Sequence, residues 1–259
     1  MLRISQVHAE ALDGLWHRTS GHKGNPPMTN ELPVLKAELA GLDSERGAVV
    51  LASDLQGREL GSRNRLLGEA LADHLQWLQQ QGFISRIRLI VIAGDLYDYP
   101  DLRKRGGTGY VDSVWRALAG VAPVVGVMGN HDMLADLDGV RHSLRLLDGD
   151  VAEVDGLRVG GVSGIVGNPK RNQRQFPEEF NHKLTEVIQR KPELIVLHQG
   201  PNDPAGQRRG EPSIRQRLES FAGLTVFGHY RCDNNEPFEL GVGQALNVQG
   251  RVVICDGKG

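Results

Sequence analysis

Five short apolar runs in this sequence each end on or just before a residue that can bind a metal ion. These residues are Asp54, Asp95, Asn130, His198 and His229. Runs of this length that are rich in Val, Ile and Leu and bounded by Gly or polar residues are typical of buried strands. Ligands of open α/β sheets bind at the carboxyl ends of the strands, so we expect the five side chains to meet at one edge. Carboxylate, amide and imidazole donors together favour a divalent metal site there.

Helices that alternate with these strands are needed to hold the strand ends in place. Helical spacing predicts a helix over 62–81, with Ser62 as its cap and Gly82 as its stop, and another over 109–120. Each of these helices is followed by a strand, as in βαβ units. A third helix is predicted over 177–191, where acidic residues in the first turn and basic residues in the last suit the helix dipole.

Later in the chain the alternation gives way to two predicted hairpins, which turn at Asp155-Gly156 and at Gln249-Gly250. Residues 1–47 differ from the rest in residue pattern. A turn-rich stretch is followed by apolar residues at helical spacing, for which Asn30 is the expected N-terminal cap. We therefore predict a mixed α/β fold, with 1–47 as an N-terminal extension and one main domain over 48–259. Whether the extension covers the sheet, contacts a partner or is mobile stays open.

Composition limits the classes of protein to consider. The 259 residues are 24% charged and 39% hydrophobic, with a formal net charge of -2, so nothing attracts nucleic acid to the molecule as a whole. Two cysteines, Cys232 and Cys255, are too few for a disulfide framework, which favours a reducing cytoplasm. No window approaches the roughly 20 apolar residues of a membrane span, so we expect no membrane association.

Taken in chain order, the motifs SDLQG, GDLYD, GNHD, LHQG and GHYR resemble those of the calcineurin-like metallophosphoesterase superfamily. That superfamily's pattern is DxH, GDxxD, GNH(D/E), a lone His after a strand, and GHxH. The resemblance covers roughly residues 48 to 255. It implies an α/β four-layer sandwich, with two mixed β-sheets flanked by α-helices, and makes 48–259 a metallophosphoesterase domain. It also implies a two-metal centre that hydrolyses phosphate esters.

The same resemblance assigns the metal ligands. Asp95 resembles the bridging carboxylate, Asn130, His198 and His229 resemble the remaining ligands of the second metal, and Asp54 resembles a carboxylate ligand of the first. The donor types suit Mn²⁺ best, with Fe, Zn or Mg as alternatives, and one or two ions are expected. Two metals about 3.5 to 4 Å apart would clamp the attacking and leaving oxygens and lower the pKa of a bound water.

Two residues depart from the superfamily pattern, and both fall on the first metal. Gln56 replaces the His of DxH, and its amide oxygen is a weak neutral donor. Arg231 replaces the last His of GHxH and cannot bind a metal, because a guanidinium has no acceptor. Three interpretations follow. In the first, Arg231 replaces the first metal, either by pairing with Asp54 or by binding the substrate phosphate. In the second, the first metal still binds, weakly, through Asp54, Gln56, Asp95 and an unidentified group. In the third, catalysis has been lost and the protein binds its ligand without cleaving it.

The residues next to Asn130 are candidates for catalysis. His131 resembles the superfamily's general acid, or the stabiliser of charge on the leaving oxygen, and Asp132 is expected to orient it. Outside the GNHD motif, a structural histidine would be the better interpretation of His131. Within the motif the functional role is favoured, and Arg231 is the third catalytic candidate.

Three basic clusters in loops are candidates for substrate contact. They are Arg103 to Arg105, then Lys170 with Arg171 and Arg174, then Arg208 with Arg209. Loops that follow ligand-bearing strands surround the site, so the first and third clusters would suit a polyphosphate or a nucleic acid backbone. For each cluster taken separately, a solvated charge run is at least as good an interpretation.

The resulting hypothesis is a hydrolase, a metal-dependent phosphoesterase acting on phosphate esters. A phosphodiesterase or nucleotide pyrophosphatase is favoured, with metal-activated water as the nucleophile and His131 as general acid. The rival hypothesis is a catalytically impaired binding module on a metallophosphoesterase scaffold, motivated by Gln56 and Arg231.

Overall fold

The structure is a computed structural model and describes residues 1–21, 25–104, 106–234 and 236–257. Arg105, from the first basic cluster, lies outside the described residues.

The described part of the chain contains four α-helices and nineteen strands. The helices are α1 (Leu67–Gln80), α2 (Asp112–Ala119), α3 (Pro177–Gln189) and α4 (Pro212–Leu218). The first ten strands are β1 (Arg3–Val7), β2 (Asp13–Thr19), β3 (Met28–Ala40), β4 (Ala48–Ser53), β5 (Arg58–Glu59), β6 (Ile87–Ile92), β7 (Gly109–Tyr110), β8 (Val124–Gly126), β9 (Asp132–Met133) and β10 (Leu144–Leu146). The other nine are β11 (Asp150–Val154), β12 (Leu157–Val162), β13 (Ile165–Val166), β14 (Arg174–Gln175), β15 (Leu194–Gln199), β16 (Leu224–Gly228), β17 (Phe238–Leu240), β18 (Gly243–Asn247) and β19 (Arg251–Gly257).

Two mixed sheets organise the molecule. The large sheet has nine strands in the order β10-β8-β6-β4-β19-β3-β2-β5, with β1 also paired to β3. The small sheet has six strands in the order β11-β12-β15-β16-β18-β17. The pairs β13-β14 and β7-β9 stand apart from both. Parallel strands β4, β6 and β8 of the large sheet and β15 and β16 of the small sheet carry the residues of interest at their carboxyl ends.

Three hydrophobic clusters separate four layers, which confirms the predicted sandwich. Side chains alternate along each strand, so β4 buries Val50 among residues of α1 and α2 and buries Val49 and Leu51 between the two sheets. A third cluster joins the small sheet to α3 and α4, with Phe180 at its centre. Because both faces of the central strands are covered, the sequences of these strands are continuous apolar runs.

The predicted helix after Asn30 is wrong, because these residues form β3. Leu32, Leu35 and Leu39 are spaced as on one helix face, yet the strand sends Leu32 toward α1 and Leu35 and Leu39 between the sheets. The strand pairs with β19 on one side and with β1 and β2 on the other. Residues 1–47 therefore contribute three strands to the large sheet.

The predicted hairpin at Gln249-Gly250 is also wrong. The chain does turn there, with Gly250 in the left-handed region at φ 63°. The two strands that flank the turn lie in different sheets, however, since β18 pairs with β16 and β19 pairs with β4. The hairpin at Asp155-Gly156 is confirmed, with β11 antiparallel to β12.

Helix α1 begins five residues later than predicted, at Leu67. Ser62 is not its cap; Leu66 is extended, and its N–H donates to the Glu69 carboxylate at 3.1 Å. Helices α2 and α3 lie within the predicted segments.

Candidate metal centre

Three of the five candidate strand-end residues have left-handed backbones. Asp54, Asp95 and His229 have φ of 54°, 57° and 69°. Such conformations cost a side-chain-bearing residue about 1 kcal/mol or more, and they concentrate at functional sites. Each of them lies within three residues of the end of a buried strand.

Asp95, His198 and His229 form a compact cluster of ligand groups. Their ligand atoms all lie within 4.8 Å of one another. His198 Nε2 is 3.2 Å from Asp95 Oδ2, and the ring centroids of His198 and His229 are 5.0 Å apart. His198 Nδ1 lies 2.7 Å from the carbonyl oxygen of Ala93, which accepts its proton and leaves Nε2 as the ring nitrogen that could bind a metal.

Two buried atoms at this cluster lack hydrogen-bond partners among the described residues. They are Asn130 Oδ1 and His198 Nε2, on side chains that are 5% and 0% exposed. His198 Nε2 does have the Asp95 carboxylate at an ion-pair distance of 3.2 Å. Buried polar atoms are normally satisfied, so these two, beside a carboxylate and a second imidazole, fit a divalent cation.

Asp132 holds in place the two loops that carry Asp95 and Asn130. It is fully buried, and its Oδ2 accepts hydrogen bonds from the backbone N–H groups of Asp95 and Gly129, each at 2.8 Å. Its Oδ1 accepts the N–H of Leu96 at 2.7 Å. Burial raises the pKa of Asp132 to about 6, and the charge of Asp95 adds to this. Asp132 thus positions the loops rather than the ring of His131.

His131 is oriented by a residue that sequence reasoning missed. Its Nδ1 lies 2.7 Å from the carbonyl oxygen of Gly107, and its Nε2 lies 3.9 Å from Asp95 Oδ2. Its backbone N–H donates to Asp95 Oδ1 at 3.0 Å. The side chain is 22% exposed and faces the cleft. Gly107 lies in the segment GGTG, residues 106–109, and its backbone carbonyl fixes the orientation of the histidine ring.

Asn172 is a second residue that sequence reasoning missed. Its side-chain amide donates to the backbone carbonyls of Asn130 and Asp132, at 3.2 and 2.9 Å. These two hydrogen bonds fix the GNHD loop from the outside. No spacing in the sequence connects Asn172 with that loop.

Asp54 comes from the large sheet and touches the small one. Its Oδ2 accepts hydrogen bonds from Ser53 Oγ at 2.7 Å and from the N–H of His229 at 2.9 Å. Burial raises the pKa of Asp54 to about 6; His198 opposes this shift and Asp95 adds to it. A Cβ on Gly228 would lie 2.1 Å from Ser53 Oγ and 2.3 Å from Asp54 Oδ2, so only glycine fits there.

The charges of the cluster are strongly coupled. Burial opposes ionisation of Asp95, but the charges of His198 and His131 lower its pKa. Burial likewise opposes a charge on His198, yet Asp95 and Asp54 raise its pKa to about 9. Burial and the neighbouring His198 lower the pKa of His229 to about 4. In the metal-free protein one proton on His198 therefore takes the place of a cation beside Asp95.

The two residues that depart from the superfamily pattern both line the cleft. Gln56 lies near Asp54, and Arg231 lies at the mouth, where its Nε is 3.1 Å from Asp233 Oδ1. The side chains of Arg231 and Asp233 are each 86% exposed. In this conformation Arg231 pairs with Asp233 rather than with Asp54.

A cavity of about 430 Å³ opens over the cluster. It is lined by residues of both sheets, among them Asp54, Gln56, Asp95, His131, His229 and Arg231. A groove of about 470 Å³ beside α3 and α4 contains none of these residues.

The basic loops contribute little to this cavity. Arg208 lies 4.9 Å from the centre of the Phe238 ring and 3.8 Å from Asp203, and Arg103 lies 3.8 Å from Asp101. The charge of Arg174 reaches the cluster, since it is among the causes that lower the pKa of His229.

Comparison with known proteins gives a family match that includes all five candidate strand-end residues. The sequence profile of the calcineurin-like phosphoesterase family matches residues 48–230. Among solved structures, the protein TT1561 of Thermus thermophilus is similar with a TM-score of 0.56 and 15% identity, over 78% of this chain and 88% of that chain. An archaeal phosphodiesterase has a TM-score of 0.39 and 10% identity, over 77% and 82% of the two chains. The phosphopantetheinyl hydrolase of Mycobacterium tuberculosis has a TM-score of 0.42 and 13% identity, over 78% and 88%.

Comparison with curated proteins gives no match. Within the described ranges, none of the helices has the length and apolar character that a membrane crossing requires.

Proposed function

The chain belongs to the calcineurin-like phosphoesterase family, and from this premise we propose that it hydrolyses phosphodiesters at the cluster of Asp95, His198 and His229. Membership makes it a metal-dependent hydrolase of phosphate esters. The observation that carries the proposal is the meeting of the buried Asn130 Oδ1, which has no hydrogen-bond partner among the described residues, with His198 Nε2 and the Asp95 carboxylate. A nucleotide pyrophosphatase is the related alternative, since it breaks the same kind of bond.

Asp95, Asn130, His198 and His229 would hold one divalent ion, and Asp54 with Gln56 would contribute to a second. The mixed nitrogen and oxygen donors support Mn²⁺, with Fe, Zn or Mg as alternatives. When bound, such ions polarise the phosphoryl group and acidify water. Two free thiols, on Cys232 and Cys255, support a reducing cytoplasm as the location.

His131 and Arg231 have distinct roles in this proposal. The Gly107 carbonyl accepts the proton on Nδ1 of His131, so Nε2 faces the cleft and can give a proton to the leaving oxygen when the ring is charged. Asp132 and Asn172 keep this residue in place through the backbone. Arg231, at the mouth, can leave Asp233 and bind a phosphate oxygen, because an exposed ion pair is worth at most about 1 kcal/mol.

Turnover of bis(p-nitrophenyl) phosphate with Mn²⁺ tests the proposal. We expect His131→Ala to lower kcat by about 10²-fold or more, as is typical for loss of a general acid. Asn130→Ala should lower the affinity for Mn²⁺, because it removes a ligand. His182→Ala is the matched control, since His182 lies on α3 with a side chain 74% exposed, and it should leave turnover unchanged.

The rival function is binding without catalysis, favoured by Gln56 and Arg231 at the first metal position. It predicts that wild-type protein, across Mn²⁺, Fe²⁺, Zn²⁺ and Mg²⁺, turns over the diester no faster than the His131→Ala variant while still binding phosphate. That result would end the hydrolase proposal.

A further inference from the structure

The hairpin of β2 and β3 forms one wall of the active-site cavity, although it precedes the residues matched by the family profile. The profile begins at residue 48, whereas His17, Thr19, Asn30, Glu31 and Leu32 all line the cavity. The family profile therefore does not describe this wall.

Strand register explains how the hairpin reaches the cavity. Leu15 pairs with Leu32, and both contact the hydrophobic cluster beneath α1. Two residues further on, His17 pairs with Asn30. Side chains alternate along a strand, so this second pair lies on the same face as the first. Directly opposed residues bring their Cβ atoms to within about 4.5–5.5 Å, so the imidazole of His17 and the amide of Asn30 lie side by side.

His17 is rigidly placed with one free nitrogen. It is 4% exposed, and its Nδ1 lies 3.3 Å from the carbonyl oxygen of Leu15. Its ring packs on Gly57, where a Cβ would lie 2.5 Å from the ring carbon Cδ2. Among the described residues, no hydrogen-bond partner is found for His17 Nε2 or for the amide of Asn30. Burial lowers the pKa of His17, so the ring is neutral at physiological pH.

The lining near the hairpin carries no positive charge among the described residues. Apart from Asp54 and Asp95, the lining carries the carboxylate of Asp98, whereas the carboxylate of Glu31, which pairs with Trp16, lies over Gly14 on the other face of the hairpin. The one guanidinium of the lining, within the described chain, is that of Arg231 at the mouth. A second phosphate placed beside His17 and Asn30 would thus find carboxylates in the cavity and, in the described part of the hairpin, no cation. Like charges within a few ångströms repel, and the repulsion strengthens as water is excluded.

Resting on the proposed phosphoesterase function, we infer that His17 and Asn30 form a specificity subsite for an uncharged, hydroxyl-bearing group of the substrate, such as a sugar. A neutral imidazole accepts a hydroxyl proton, and an amide both donates and accepts, so the pair suits hydroxyl groups. Of the two proposed reactions, the subsite favours hydrolysis of a sugar-bearing phosphodiester over that of a pyrophosphate.

Three esters that release the same p-nitrophenolate test the inference. They are bis(p-nitrophenyl) phosphate, thymidine 5′-(p-nitrophenyl) phosphate, and the latter ester with a 3′-phosphate added. We expect His17→Ala and Asn30→Ala each to lower kcat/KM for the thymidine ester roughly tenfold, as loss of a buried hydrogen bond does. Turnover of the bis(p-nitrophenyl) ester should stay unchanged, and wild-type protein should process the 3′-phosphorylated ester more slowly than the thymidine ester.

Trp16→Ala is the matched control, because Trp16 precedes His17 on the opposite face of β2 and is 54% exposed. It should change none of the three rates. Metal content per chain is measured for every variant, and binding of thymidine 5′-monophosphate is measured by calorimetry as a readout independent of turnover. Both cavity variants should keep their metal and bind the monophosphate more weakly.

Several results would overturn the inference. Equal losses on the first two esters together with loss of metal would make His17 a metal ligand. Unchanged rates and unchanged monophosphate binding would make the pair structural. Faster turnover of the 3′-phosphorylated ester would show that the wall accepts a second phosphate. Failure of the proposed function itself looks different, since wild-type protein would then hydrolyse none of the esters, and monophosphate binding would still test the subsite.

Discussion

At the scale of single residues, the motif letters identified candidate ligands but not the groups that hold them in place. Asp95, His198 and His229 follow apolar runs, and chain order alone suggested that they meet. Gly107, Asn172 and His17 carry no such signal, because they contact residues 24 to 42 positions away or enter from another strand. Contacts of that kind are set by tertiary packing.

The open question of the first metal can be decided by counting ions. Only the cluster of Asp95, His198 and His229 brings three ligand groups together in the described chain. We therefore expect the wild-type protein to hold one tightly bound Mn²⁺ per chain, measured by elemental analysis after dialysis. The double variant Gln56→His, Arg231→His should hold two, because it restores two imidazoles beside Asp54.

Arg209→His, which adds a histidine in an exposed loop, is the control and should still bind one ion. Two ions in both the wild-type protein and the double variant would show that Gln56 and Arg231 do not impair the first site.

At the scale of elements, β3 is the segment for which the spacing of apolar residues gave a wrong prediction of a helix. Leu32, Leu35 and Leu39 satisfy a helical spacing, but a strand with both faces covered buries apolar side chains on both of them. The sequence of a single segment does not reveal that both of its faces will be covered. Strands β4, β6, β15 and β16 were predictable because their apolar runs are too short for a helix and are bounded by Gly or polar residues.

Because β3 is central, a chain starting at residue 48 should fail to fold. Its removal exposes an edge of β19 and deletes five buried side chains, those of Leu32, Val34, Leu35, Ala37 and Leu39. Each large one is worth about 1.5–3 kcal/mol, against a total stability of about 5–15 kcal/mol for a typical domain. Near-ultraviolet circular dichroism and thermal melting of residues 48–259 measure the effect.

Co-expression of residues 1–47 as a separate chain should restore the native spectrum, because the strands can pair without a covalent link. A truncated chain that melts cooperatively at the wild-type Tm would contradict the central role of β3.

At the scale of the whole molecule, the fold class was predictable, but the sheet to which each strand belongs was not. The alternation of strands and helices identified a mixed α/β sandwich. The turn at Gln249-Gly250 had the sequence of a hairpin, yet β18 and β19 enter different sheets. A turn sequence specifies a local reversal, and the partners of the two strands depend on which edges remain free in the assembled layers.

The proton on His198 makes the stability of the metal-free molecule depend on pH. Its pKa is about 9 in the folded state and 6.5 as the ordinary value. Between these values the folded chain binds a proton that the unfolded chain lacks. This stabilisation is complete below pH 6.5 and is lost as the pH rises through about 9. With a chelator present, the Tm should therefore fall between pH 7 and pH 9.

His198→Gln removes the titrating group and should flatten this slope, which separates it from the contributions of other groups. Equal slopes for the two proteins would mean that His198 is neutral in the metal-free fold.

Gly228 gives the site a property that the ligands alone do not. At this corner the end of β16 touches the side chains of Ser53 and Asp54 with no space for a methyl group, and the next residue, His229, donates its backbone N–H to Asp54. The separation of Asp54 and His229, one candidate ligand from each sheet, therefore depends on a glycine. The spacing of the site is thus set in part by a residue that has no side chain to bind an ion.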